Sequence, residues 1–291
     1  MCLWIYNLFK TKPKRYYSTT LPYKLRDWID VEKIHWNFLS RNPNAIDLLL
    51  ANPEKIYWNG LSINPNATDL LRDNPEKIDW GYLSQNPNAI DLLRANPDKI
   101  NWNWLSLNHN AIELLRANPE KIDWNWSLIS QNPNAMDMLR ENPDKINWYY
   151  LSLNPNAIDM LRANPEKIYW EWLSSNKSPN AMDLLRDNPE KIDWKWLSSN
   201  PNAIDMLQAN PEKINWHSLS SNKSPNAIDM LQANPEKIDW YWLSENPAIF
   251  ELDYQKMKYS KREINHAIIA EAWHPKRMAR WIEQGLELED L

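Results

Sequence analysis

Ten tryptophans, from Trp36 to Trp240, return at intervals of 22 or 24 residues, and this recurrence constrains the fold more than anything else in the chain. A fixed period of this length marks an array in which each supersecondary unit buries its apolar face against the next. The intervals are 22 residues four times and then alternate between 24 and 22. The extra residues fall near Ser127-Leu128, at Asn176-Lys177-Ser178-Pro179 and at Asn222-Lys223-Ser224-Pro225. Insertions confined to one junction place that junction in a loop.

One unit, read from Asn86, runs NPNAIDLLRA and then NPDKINWNWLSL. Each Asn-Pro predicts a helix start: proline suits the first helical position, it pushes the asparagine out of the α region, and the asparagine oxygen can cap the first amides. Carboxylates such as Glu54 and Glu76 then sit in the first turn, where the helix dipole favours them. The same Asn-Pro ends the helix before it, which explains how a 291-residue chain manages with three glycines. In the first helix Ala89, Ile90, Leu92 and Leu93 share one side, with Asp91 and Arg94 opposite. In the second, Ile100 and Trp104 oppose Trp102 and Leu105, the pattern of a helix packed between neighbours.

The expected fold is therefore all-α, an α-solenoid of about ten 22–24-residue helix-pair repeats with terminal caps. At helix spacings of 8–10 Å the stack would be a rod or superhelix roughly 80–100 Å long. Residues 1–20 are expected to form a tail, 21–248 the solenoid with its N-terminal cap, and 249–291 a C-terminal helical cap. Asp30–Trp36 reads as a degenerate second helix. Beyond Pro247, Ser260 and Glu263 read as a capping box, followed by an apolar helix through Ile264, Ile268 and Ala272. Pro275 opens a further helix that Gly285 ends.

Composition narrows the function. A single cysteine, Cys2, allows neither an internal disulfide nor a cysteine-based metal site, and suits a reducing intracellular compartment such as cytosol or nucleus. A net charge of −5 argues against a general nucleic-acid binder. No apolar run is long enough to span a bilayer. The apolar stretch Met1–Phe9 precedes its basic residues, the reverse of a secretory signal.

The wording NPNAIDLLRANPEKIDWxWLS resembles the short Asn-Pro repeat proteins of giant DNA viruses related to mimivirus. The lead-in at 21–29 and the closing Trp273-His274-Pro275-Lys276-Arg277 and Trp281-Ile282-Glu283-Gln284-Gly285 are similar to theirs. The resemblance covers residues 21–291. It implies a viral product acting inside a eukaryotic host or carried in the virion, and it implies no particular activity.

Catalysis needs a constellation that occurs once, whereas nearly every polar residue here recurs in each unit. The acids Asp47, Asp69, Asp91, Glu113, Asp137 and Asp159 read as a solvated ladder paired with Arg72, Arg94, Arg116, Arg140 and Arg162. The histidines are scattered, and no P-loop, GxSxG or HExxH is present. No enzyme, metal or cofactor is expected. The first Trp of each pair reads as buried between units. The second aromatic position admits Gly60 and Ser218 and so reads as partly packed. The most variable position lies between the two, and from it Asn103, Asn125, Tyr149, Glu171, Lys195, His217 and Tyr241 are the candidate partner-binding residues. The leading expectation is a scaffold for a host or viral protein partner. A structural spacer or virion component is the second reading, and a single-stranded nucleic-acid-binding solenoid, with a Lys and an aromatic in register, is the third.

Overall fold

The computed structural model describes residues 22–119 and 125–258. The expected tail over 1–20, the C-terminal capping box and its helices, and Glu120 lie outside the described residues. Residues 25–251 form one compact unit, an all-α tandem-repeat solenoid.

Among the described residues, ten short helices begin at a tryptophan, as in Trp58–Ile63 and Trp170–Ser174. Nine others carry the Ile-Asp-Leu-Leu pattern or its variants, as in Ile90–Arg94 and Ile158–Arg162. Their core is small and regular. Leu61, Leu83, Leu105 and Leu173 from the tryptophan helices are fully buried against Ala67, Leu71, Leu93 and Leu185 from the others.

The two Asn-Pro sequences of a unit do different work. The first asparagine caps as expected: Asn86 Oδ1 accepts the Asn88 N–H at 3.0 Å. The second makes no such cap. Asn96, at φ −137° and ψ 61°, instead turns its amide back to donate to the Leu92 carbonyl at 2.9 Å, closing the helix before it. The following Pro-Asp/Glu-Lys is a single 3-10 turn, not the start of a long helix. The chain then extends for two residues, Ile78 at ψ 123° and Asp79 at ψ 102°. A tertiary bond explains the break: the Asp79 N–H donates to the hydroxyl of Ser62 in the preceding repeat at 3.0 Å, so it is lost to a helix. Helix resumes at Trp80, capped by the Asp79 side chain.

Repeats are joined by a ladder of buried asparagines. Asn64 Nδ2 donates to the carbonyls of Ser40 and Asn42, and Asn86 Nδ2 to those of Ser62 and Asn64. The pattern continues through Asn108, Asn132, Asn154, Asn176, Asn200, Asn222 and Asn246. It does not stop there. Asn42 of the first repeat donates to the carbonyls of Ser244 and Asn246 in the last, at 3.1 and 3.0 Å.

Three further contacts close in the same register. The His35 N–H donates to Ser244 Oγ at 2.9 Å, as Asp79 does to Ser62. Asn44 Nδ2 donates to the Pro247 carbonyl, as Asn66 does to Pro43. Lys33 lies over the ring of Trp240, as Lys55 lies over Trp36. The solenoid of residues 25–251 is therefore a closed ring of ten repeats, which corrects the expected rod or superhelix with two free ends. A full circle with radially paired helices 8–10 Å apart makes the outer helices about 5–6 Å further from their like neighbours than the inner ones. The tryptophan helices pack directly on one another around the ring, whereas the others do so far less, so the tryptophan helices and the asparagine ladder lie on the inner side.

The two ends share one position. Among the described residues, the chain that follows the helix Trp240–Glu245 and the turn Pro247–Ile249 is not a helix but a short strand, β2 (Phe250–Leu252), paired antiparallel with β1 (Tyr23–Leu25). Arg26 ties them, its N–H donating to the Ile249 carbonyl at 3.0 Å and its Nε to that of Ala248 at 2.9 Å.

Candidate functional site

The most variable position of the unit has a regular neighbour in the structure. Tyr149 meets Tyr169, the residue before the next repeat's tryptophan, with ring centroids 5.2 Å apart. His217 Nδ1 pairs with Asp239 in the same relation, and Tyr241 meets His35 across the closure at 5.7 Å. Ser127 Oγ accepts from Asn147 Nδ2 at 2.8 Å, which identifies Ser127 as the variable residue of its repeat.

That last bond corrects one candidate. Asn125 does not sit between two helical tryptophans. It is the N-cap of the helix Trp126–Gln131 and accepts the Leu128 N–H. Trp126, whose carbonyl accepts from Ser130 Oγ as that of Trp102 does from Ser106, is the structural counterpart of Trp102. The two extra residues thus precede this tryptophan and do not fall at Ser127-Leu128.

The other candidates divide by what they touch. Asn103, Glu171 and Lys195 are exposed. Lys195 Nζ lies 5.8 Å from the ring of Trp196 in its own helix. Tyr149 is half-buried in a cluster that spans three repeats, with Trp172 at 5.1 Å and Trp172 in turn 4.8 Å from Trp196. Tyr169, at 46 % exposed, is the open edge of this cluster. The indole N–H of Trp172 is buried without an acceptor. His217 Nε2 accepts from Trp242 Nε1 at 2.8 Å, so both ring nitrogens are engaged and the neutral ring carries its proton on Nδ1. Tyr241 also lies 3.6 Å from Phe38.

Two aromatic expectations change. The first tryptophan of each pair is only half-buried, its ring roofed by the lysine of the next repeat at about 4.4–4.7 Å in most repeats. Gly60 is not a sign of loose packing. It is buried, and a Cβ there would come within 2.7 Å of the Asn37 carbonyl. Its bareness lets Arg41 reach past it to the ring of Tyr82, two repeats away.

The acid–base ladder is present in part. Arg72–Asp69, Arg140–Asp137 and Arg186–Asp183 pair within a helix, while Arg116–Glu141 and Arg162–Asp183 bridge repeats. An open cleft of about 730 Å³ lies where His109 replaces a proline, lined by His109, Glu113, Arg116 and Asp137 among others. Arg116 and Asp137 are already engaged by Glu141 and Arg140.

Sequence reasoning missed the functional load on asparagine and serine. Ser62 Oγ donates to the Trp58 carbonyl while accepting from the next repeat, and its recurrence four residues after each helical tryptophan was the available signal. No helix among the described residues is long and apolar enough to cross a membrane. No protein-family model, no curated protein and no solved structure matches the chain.

Proposed function

We propose that this protein is a non-enzymatic scaffold that holds a protein partner on the inner, tryptophan-helix side of the ring, in the sector from Tyr149 to Trp196. The observation that carries this reading is the half-exposed Tyr169 at the edge of the Tyr149–Trp172–Trp196 cluster, flanked by exposed Glu171 and Lys195. Tyrosine and tryptophan are among the residues that anchor protein interfaces, and charges at the rim steer and select the partner. Elsewhere the repeated ladder asparagines and the serines four residues after each helical tryptophan are consumed in joining repeats. The spacer reading loses support with the open rod on which it rested. Nucleic-acid stacking also loses support, because the recurring lysine and tryptophan cover each other.

The test uses the full chain in infected host cells, the setting implied by the viral resemblance, with a photo-crosslinker placed at Glu171 or, on an outer helix, at Asp91. A protein that crosslinks from Glu171 and is released by the triple variant Tyr169→Ala, Glu171→Lys, Lys195→Glu supports the reading. A partner that crosslinks only from Asp91, or survives the triple variant, overturns it.

A further inference from the structure

The residue before each helical tryptophan has a regular task. In seven of the ten repeats it is Asp or Asn and its side chain caps the helix. Asp79 and Asp193, for example, accept the N–H groups of Tyr82 and Trp196 at 3.1 and 3.0 Å. His35, Tyr57 and Tyr169 make no such bond. The two tyrosines are instead 55 % and 46 % exposed. A repeat that gives up its cap for a solvent-facing phenol ring loses stability by doing so, whereas an exposed tyrosine can anchor an interface.

Their places in the ring are related. Tyr57 precedes the second tryptophan helix and Tyr169 the seventh. Five repeats of ten separate them, so in the closed ring they stand half a turn apart. Consecutive tryptophan helices pack side by side and each begins at this position, so the ten positions trace one edge of the inner layer. Ten helices at 8–10 Å make that circle about 25–30 Å across. A body that meets both tyrosines must carry two matching contacts at that separation, related by a half turn. A second copy of this chain does so by construction, and C2 pairing is the commonest symmetry of homo-oligomers.

The flanking charges fit the same pairing. Each tyrosine is followed in the next repeat by an aspartate cap, Asp79 after Tyr57 and Asp193 after Tyr169. One carboxylate oxygen of each is spent on its cap, and the other has no hydrogen-bond partner among the described residues. Glu171 and Lys195, also one repeat apart, are exposed and form no ion pair among the described residues. Consider a two-fold axis across the ring, entering between the second and third repeats and leaving between the seventh and eighth. It sets Tyr57 against Asp79 of the second copy, Tyr169 against its Asp193, and Glu171 against its Lys195. Every contact then occurs twice, and each phenol O–H meets a carboxylate oxygen left over from capping.

We infer that two copies of this chain pair edge to edge through Tyr57 and Tyr169, with Glu171 and Lys195 forming reciprocal ion pairs. The inference rests on the reading of the Tyr149–Trp196 sector as a protein-binding site and names a second ring as the partner.

Sedimentation equilibrium of the purified full chain at physiological salt tests it. A reversible monomer–dimer equilibrium is expected at micromolar concentration, weakened about tenfold by Tyr57→Asn or Tyr169→Asn. Asparagine caps the equivalent helix elsewhere, as Asn101 does, so circular dichroism should show both variants folded. Glu171→Lys and Lys195→Glu should each be monomeric alone and should dimerise when mixed, because only the mixture restores both ion pairs. A chain that stays monomeric, a dimer indifferent to both tyrosine variants, or a mixture that stays monomeric overturns the inference. A different protein crosslinked from Glu171 in cells, with the purified chain monomeric, overturns the second ring as partner and leaves the scaffold reading intact.

Discussion

Asn42 donates from its side-chain amide to the carbonyls of Ser244 and Asn246, 202 and 204 residues further along the chain. The same two bonds join every repeat to the one before it, so this rung is distinguished only by its sequence separation. Replacing it by Asn42→Leu removes the side-chain donor of the Ser244 carbonyl, the cap of the Asn44 N–H and one of the two donors of the Asn246 carbonyl, which keeps the Ile249 N–H, a loss of about 2–4 kcal/mol. Asn154→Leu, mid-chain, should cost the same in urea unfolding. An Asn42→Leu cost below about 1 kcal/mol, with Asn154→Leu at full value, would show a ring open in solution.

Gly60→Ala and Gly81→Ala should separate sharply. At Gly60 the added methyl meets the Asn37 backbone at 2.7 Å, whereas at Gly81 the nearest group is the Asp79 side chain at 3.2 Å. A loss of about 1–3 kcal/mol is expected for the first. The second should fall within about 1 kcal/mol of neutral, helped by alanine's helix preference. Thermal denaturation of the two single variants decides it.

Lys177 gives a pH dependence of stability. Burial and the charge of Lys223 hold its folded pKa below the usual lysine value of 10.5, so between the two values the unfolded chain binds more protons than the folded one. Stability contributed through this group therefore rises with pH across that window, and below it the charged lysine opposes folding. Lys177→Met should raise the melting temperature at neutral pH and flatten the alkaline rise. An unchanged profile would contradict the lowering of the Lys177 pKa by burial and by the charge of Lys223.

The pairing of Tyr149 with Tyr169 should appear as coupling. In a double-mutant cycle to alanine the pair is expected to couple by about 0.5–1.5 kcal/mol. Tyr149 with the distant Tyr57 should be additive. Equal additivity in both cycles would mean that the variable position does not contribute to junction matching.

The period, the all-α class and the unit boundaries were legible because Asn-Pro, Ala-Ile-Asp and Trp recur at fixed offsets. Ring closure was not, because the rotation from one repeat to the next depends on the difference in spacing between inner and outer helices, which no single residue encodes. The long second helix failed for a similar reason: the bond from Ser62 to Asp79 that breaks it joins different repeats. Asn125 was misplaced because Trp124 and Trp126 both fit a tryptophan pattern. The serine four residues on, Ser130 after Trp126, would have resolved the register. The candidate site was half legible. Tyr149 meets Tyr169 and Trp172 of the next repeat, and the sequence variation at such positions does not reveal that they touch neighbouring repeats.

An open array can gain or lose a unit and remain a slightly longer or shorter array. This molecule has no such freedom, because each unit supplies a tenth of a turn and Asn42 must find Ser244 and Asn246 waiting. A gene that lengthens by copying its own units passes through lengths that overshoot or fall short of the circle. Copy number is therefore itself under structural selection, and a chain of nine or eleven units would be a different kind of object, with two raw faces in place of none.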